Sequence, residues 1–468
     1  MKNFSATLSI IFLINCISFS QTTENDLDCN GSVFSWGHVD FGGDSSLVST
    51  ELTAGVIKIF SNSTAYAALR SDGSVVTWGN PNYGGDSSSV SNELSSGVIN
   101  IYSANIAFAA LKDDGSVVTW GDPSQGGDSS SVSSDLLSGV IQITRAETAF
   151  AALKEDGSVV TWGDPSYGGD SSDVADEISS DVEKVFSTNS AFAALKTDGS
   201  VITWGYSLNN GQITDAGDSS MVSSSLDSGV TDIFSTQQAF AALKDDGSVV
   251  TWGRMSPNYG GDSTSVSSDL ISVTHIFSSV YNFAALRSDG SLITWGDYAG
   301  DSSSVSSELS SGVVSVTSAG RAMAALKTDG SVITWGVDSY GGDSSSVSSS
   351  LSSGVERVFS SSRAFSALKT DGSVITWGDA SWGGDSSWAA DEITENVVDI
   401  ISSQAAFAGL KSDGTLITWG STETGAEQIF YNVNKVFSNN WSFAAISCET
   451  LGVNITSSIP EGEPYINC

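Results

Sequence analysis

The stretch that decides the fold is Ala107-Phe108-Ala109-Ala110-Leu111-Lys112-Asp113-Asp114-Gly115-Ser116-Val117-Val118-Thr119-Trp120-Gly121. Two short apolar runs, rich in aromatic and β-branched residues, flank an Asp-Gly pair. That is the pattern of two strands joined by a tight hairpin, and it predicts a type I′ turn with positive φ at both central positions. Downstream come a Ser/Gly/Asp-rich segment, a further run Gly139-Val140-Ile141-Gln142-Ile143, and then Ala149-Phe150-Ala151-Ala152-Leu153-Lys154, where the pattern begins again. Each unit therefore offers three strands, with a short fourth expected near Ser129 to Val132. No segment holds a helical period for ten residues, so the fold class is all-β.

The unit recurs ten times. Trp-Gly stands at Trp36, Trp78, Trp120, Trp162, Trp204, Trp252, Trp295, Trp335, Trp377 and Trp419, at spacings of 42, 42, 42, 42, 48, 43, 40, 42 and 42. A sheet this small cannot bury its own faces, so the units must pack on one another, radially or as a solenoid. The ends of the chain favour a ring. The repeats open on a Trp-Gly half, Gly31 to Trp36, and finish on the complementary half, Trp441 to Ile446. In a closed ring the last strand pairs with the first and leaves no open edge. The expectation is a closed, circularly permuted β-propeller of about ten small blades over 29–449, preceded by a short lead (21–28) and followed by a tail (450–468).

The cysteines agree with closure. Cys29 and Cys448 both occupy the repeat position that Asp113 holds, 448 − 29 = 419 residues apart, so a ring brings them together and a Cys29–Cys448 disulfide is expected. The alternative is Cys448 pairing with Cys468. Residues 1–20 carry Lys2, an apolar run from Leu8 to Ile17 and a small-residue end at Ser18-Phe19-Ser20. This reads as a secretory signal cut near Ser20, too short for a membrane span, and implies an exported protein in a compartment that permits disulfides.

The unit resembles the repeat of the regulator of chromosome condensation family, through Leu111, Asp114, Gly115, Val117, Trp120, Gly121 and Gly126; Asn210-Gly211-Gln212-Ile213 resembles that family's Asn-x-x-Gly-Gln-Leu segment. The short period is most similar to the secreted bacterial subgroup that includes the β-lactamase-inhibitor propellers with three-stranded blades. The resemblance implies a propeller that binds proteins, and within that subgroup one that inhibits an enzyme. Departures are Ala107, Ala149 and Ala191 where the family has His, Gly127-Asp128 where it has Gln-Leu, and ten units against its usual seven. Nucleotide exchange on a nuclear GTPase is not carried over.

Composition narrows the partners. With 18 Lys+Arg against 54 Asp+Glu the chain carries −36, which argues against nucleic acid. The 2 His and 4 Cys leave a zinc cluster almost without ligands, and no Ser/His/Asp or Cys/His set stands out, so neither an enzyme nor a cofactor is expected. Length variation collects in the loop after Trp-Gly, which carries an aromatic (Phe41, Tyr83, Tyr167, Tyr259, Tyr298, Tyr340, Trp382) and then an Asp (Asp44, Asp86, Asp128, Asp170, Asp218, Asp262, Asp301, Asp343, Asp385). This rim either recognises a protein or glycan, or the aromatic covers the neighbouring blade while the Asp caps its own turn. One carboxylate per unit is unlike known calcium loops. A partner-specific site should break the repeat, so Tyr206, Leu208, Asn209, Arg254, Met255, Trp382 and Trp388 are the sharper candidates beside Tyr83, Tyr167 and Tyr340. Nine basic residues, including Lys112 and Lys154, sit beside the Asp-Gly turns, as an anion-binding ring or as screening for the adjacent Asp pair. The expected product is a monomeric, secreted binding protein with a protein or glycan partner.

Overall fold

The computed structural model describes residues 31–206, 217–255, 259–297 and 300–447. It is all-β, built from repeated three-stranded antiparallel sheets, an arrangement consistent with a β-propeller. Sheet 2 is representative: strands Val98–Ser103, Ala107–Lys112 and Val117–Gly121 pair in sequence order. Phe108 stands opposite Trp120 and Leu111 opposite Val117. Sheets 1 and 3 to 9 cover 56–79, 140–163, 182–205, 230–253, 273–296, 313–336, 355–378 and 397–420, the last gaining a two-residue fourth strand, Ile429–Phe430. Sheet 10 is shared by the two ends of the repeat region: Ser32–Gly37 pairs with Ser442–Ser447, which pairs with Val433–Ser438.

The hairpin expectation holds in place and fails in type. Only Gly115 takes positive φ (75°), Gly115 N donates to Lys112 O at 3.0 Å and Lys112 N to Ser116 O at 2.9 Å. This is a type I turn with a glycine bulge. The physical reason is local: Asp114 Oδ1 accepts from Ser116 N (2.9 Å) and Ser116 Oγ (2.6 Å), and that bond holds the Asp in the ordinary right-handed turn. The expected fourth strand is also corrected. Ser130–Val132 is a 3-10 turn, set by Asp128 Oδ1 accepting from Ser130 N at 2.8 Å.

Packing follows the alternation of the middle strand. Ala65, Ala67 and Leu69 of sheet 1 meet Val98, Ile101, Phe108, Ala110 and Trp120 of sheet 2, small side chains facing large ones. The same apolar joint lies between each consecutive pair of sheets, and a further one joins sheet 10 to sheet 1 through Ala444, Ile446, Val56 and Tyr66. A polar latch runs beside it. The indole of Trp120 donates to Gly84 O of the preceding unit at 3.1 Å, and Trp78, Trp162, Trp204, Trp295 and Trp377 repeat the contact. Gly84 must be glycine: its φ is 101°, and a Cβ there would come within 2.6 Å of the Phe108 ring.

The first strand of each sheet ends in a loop that meets its neighbours. Ser63 N donates to Asn105 O, Asn105 N to Glu147 O, Glu147 N to Asn189 O, Asn189 N to Gln237 O and Gln237 N to Val280 O; in a second run Gly320 N donates to Ser362 O, Ser362 N to Gln404 O and Gln404 N to Asn440 O. These backbone bonds, 2.9 to 3.1 Å long, form a belt that passes from unit to unit in one sense. One residue before each loop, Ser103 Oγ donates to Ser61 O (2.6 Å), and Ser61 Oγ donates to Ser438 O (2.9 Å), which joins the first unit to the last.

Candidate binding face

Two sets of loops share one face. The loop after Trp-Gly is tied to the belt loops, as in Asn80 N to Thr64 O and Asp122 N to Ile106 O, both 3.1 Å. The Asp-Gly turns lie at the opposite ends of the strands, where Val98 N donates to Gly73 O at 3.0 Å. The rim expected from the length variation is therefore the belt-side face.

Most of its repeated chemistry is scaffold. Each of the nine loop carboxylates that follow a glycine accepts from the backbone N–H two residues on, from Asp44–Ser46 to Asp385–Ser387, at 2.8 to 3.0 Å. That bond holds the carboxyls of Asp44, Asp86 and Asp343 below the usual range. Among the described residues no three His, Cys, Asp or Glu gather as a metal set. Tyr167 packs on the joint between sheets 3 and 4, and Tyr83 offers its backbone carbonyl to Asn62 Nδ2 at 2.6 Å. On the far face the lysines of the basic ring act on the turn carboxyls as the screening expectation has it: the Ser116 hydrogen bonds lower Asp114 and the Lys112 charge adds to them, while the ammonium groups are also tied to the backbone. Lys112 Nζ donates to Glu93 O at 3.0 Å, and Lys154, Lys196, Lys244, Lys327, Lys369 and Lys411 donate likewise to the carbonyl nineteen residues earlier. Arg70 and Arg287 approach their turn carboxylates, Asp72 and Asp289, at 3.9 Å.

The exceptions behave differently. Arg363 lies over the rings of both Tyr340 (5.1 Å) and Trp382 (4.8 Å), Trp382 tilts against Trp441 (6.1 Å), Trp441 approaches Phe41 (6.4 Å), and His38 meets Phe41 edge-on (5.0 Å). This arc crosses sheets 7, 8, 9 and 10 and spans the seam between chain ends. Ala405 occupies the intervening position of sheet 9, and its small size leaves the two indoles room to approach. A second, smaller group forms where Arg254 lies over Tyr259 (4.1 Å), bonds Gln238 Oε1 (2.6 Å), and Tyr259 meets Tyr281 edge-on (5.5 Å). The arginines of this face lie beside carboxylates: Arg363 approaches Asp379 at 4.0 Å and Arg321 approaches Asp297 at 3.6 Å.

Of the residues singled out from sequence, Tyr340 and Trp382 come together and Arg254 anchors the second group. Met255 is half-buried beside Arg254. Tyr206 is 37% exposed, and its backbone N–H donates to Ser190 O. Trp388 does not join them: it lies in the 3-10 turn Ser387–Ala389, on the segment leading away to the next sheet, 40% exposed. Leu208, Asn209, Cys29 and Cys448 lie outside the described residues. Reading single loops missed Arg363, Trp441, Arg321 and Tyr281. All four occupy one repeat column (Thr64, Ile106, Thr148, Ser190, Gln238, Tyr281, Arg321, Arg363, Ala405, Trp441), and aligning the units on it exposes the break.

No family description and no curated protein matches the chain. Among solved structures it is similar to Prp20p of Saccharomyces cerevisiae, described with its binding to Gsp1p and histones, at 14% identity and a TM-score of 0.37 over 89% of this chain and 91% of that one. It is similar to yeast RCC1 (Prp20) bound to Kap60, at 12% identity and a TM-score of 0.34 over 96% of each chain. It is also similar to the computationally designed Ika8 protein, at 12% identity and a TM-score of 0.32 over 83% of this chain and 99% of that one. At these TM-scores the fold rests on this chain's own pairing and packing.

Proposed function

We propose that the chain is a secreted, closed propeller of ten blades that binds a protein through the aromatic–arginine arc of its belt-side face. Support for the ring comes from two departures that meet. Tyr66 alone carries a hydroxyl where the other units have Phe or Met, Ser442 replaces the usual Ala, and Tyr66 Oη lies 3.1 Å from Ser442 Oγ across the seam. The signal sequence supports export, and the resemblance to the inhibitor propellers supports an enzyme among the candidate partners. Among the described residues no helix is long and apolar enough to cross a membrane.

The observation that carries the protein reading is Arg363 between Tyr340 and Trp382. Tyr, Trp and Arg are the residues that concentrate energy at protein interfaces, and a joined row across four sheets supplies the area such a partner needs. The same stacking disfavours a sugar, because the guanidinium lies over the flat ring faces that a pyranose would use. Binding of a purified partner, captured with the wild-type protein from its native extracellular fraction and then titrated calorimetrically, should weaken by about 2 kcal/mol in Trp382→Ala and in Arg363→Ala. Unchanged affinity in both variants overturns the arc. Binding on a glycan array that Trp382→Ala abolishes, with no protein partner, replaces the reading with carbohydrate recognition.

A further inference from the structure

Where the first strand of each sheet ends, the ten units carry Ser61, Ser103, Arg145, Ser187, Ser235, Ser278, Ser318, Ser360, Ser402 and Ser438. Nine are serine and one is arginine. Five of the serine hydroxyls donate sideways to the carbonyl of the same position in a neighbouring unit, Ser187 to Arg145 O among them. The position therefore forms an inner ring just beneath the belt. Arg145 and the surrounding loops line a cavity of about 360 Å³, with Asn105, Asn189 and Gln237 among the other walls. Only two lining residues are charged, Arg145 and, two positions along, Glu147.

We propose that this axial mouth is a carboxylate-binding site with Arg145 as its cation. Carboxamides from several units, Asn105, Asn189, Gln237, Gln404 and Asn440, line it, and their N–H groups suit an oxyanion, while the hydroxyls of Ser61, Ser103 and Ser187 already donate to carbonyls. A guanidinium offers five N–H donors in a fixed fork, so it can receive a carboxylate while keeping a protein contact. Burial disfavours the charged form and brings the Arg145 pKa down to about 10, a cost that a bound anion offsets. The carboxylate comes either from a free small acid or from an acidic side chain of a protein seated on the belt-side face. The site uses none of the arc residues, so it stands or falls apart from the arc.

Arg145→Ser is the test, because it restores the residue found at the other nine positions and keeps the inner ring uniform; Arg145→Gln serves if that variant does not fold. Wild-type protein titrated calorimetrically with succinate and with a hexaglutamate peptide, each at fixed ionic strength, should bind at least one of the two saturably. The serine variant should bind it about tenfold or more weakly, a loss of about 1.4 kcal/mol. Arg145→Lys, with charge but no fork, should fall between. Saturation by succinate identifies a free acid as the source, and saturation by the peptide alone identifies a protein carboxylate. Failure of both probes to saturate, or equal affinity in the wild type and the serine variant, overturns the proposal.

Discussion

A repeated core shows its individual residues most clearly where one copy differs. Along the middle strands, the position of Ala109 is alanine in every unit but one, where it is Ser366. Ser366 is fully buried and its Oγ has no hydrogen-bond partner. A hydroxyl taken from water without compensation costs about 1 to 3 kcal/mol. Ser366→Ala should therefore stabilise the protein by about 1 kcal/mol, read as a raised urea midpoint at unchanged slope. A midpoint that stays put or falls would mean that the hydroxyl is satisfied. The Asp181, Ser272, Asn396 and Asn432 positions are a related departure, since each takes positive φ (56° to 65°) where most units place glycine. Asp and Asn tolerate that region by local hydrogen bonding, and Ser272 does so least well.

Among the elements, the strands were legible from sequence because their apolar runs repeat at a fixed spacing and end at Gly, Asp or Ser. The turns between them were legible in position only. Whether Asp-Gly makes a type I′ turn or a type I turn with a bulge depends on the Asp114–Ser116 side-chain bond, which competes with the backbone and leaves no mark on hydrophobic periodicity. The Asp128–Ser130 bond likewise turned an expected strand into a 3-10 turn. Serine hydroxyl and backbone N–H hold the carboxyls of Asp114, Asp156, Asp198, Asp246, Asp329 and Asp371 below the usual range. Because the folded pKa lies under the unfolded value of about 3.9, this stabilisation is complete above that value and is lost as pH falls through the folded ones. At about 0.5 M salt, where repulsion is screened within ~4 Å, the melting temperature should be flat from about pH 5 to 8 and fall below about pH 4. A melting temperature that rises through that acid range would show that relief of the −36 charge outweighs the turns.

For the whole molecule, the decisive region is the seam. Ser32 pairs with Ser447, the outermost pair of the terminal ladder, and Cys29 and Cys448 follow just beyond the described residues. Peptide mapping without reductant should return Cys29–Cys448, and reduction should lower the melting temperature. A loop this long corresponds to at most about 4 to 5 kcal/mol by chain entropy. Recovery of Cys448–Cys468 instead would leave the seam to its hydrogen bonds and apolar joint. The candidate arc was half visible beforehand: Tyr340 and Trp382 stand out within their own loops. Arg363 and Trp441 become neighbours of that pair only when sheets are stacked side by side. That proximity depends on the distance between units, which local sequence does not carry.

The split sheet has a consequence for how such a chain changes over generations. Because the closing sheet is assembled from both termini, its residues lie outside every complete repeat. Unequal recombination between similar units would add or delete a whole sheet in frame, while Ser442 and the terminal strands fall outside the exchanged segment.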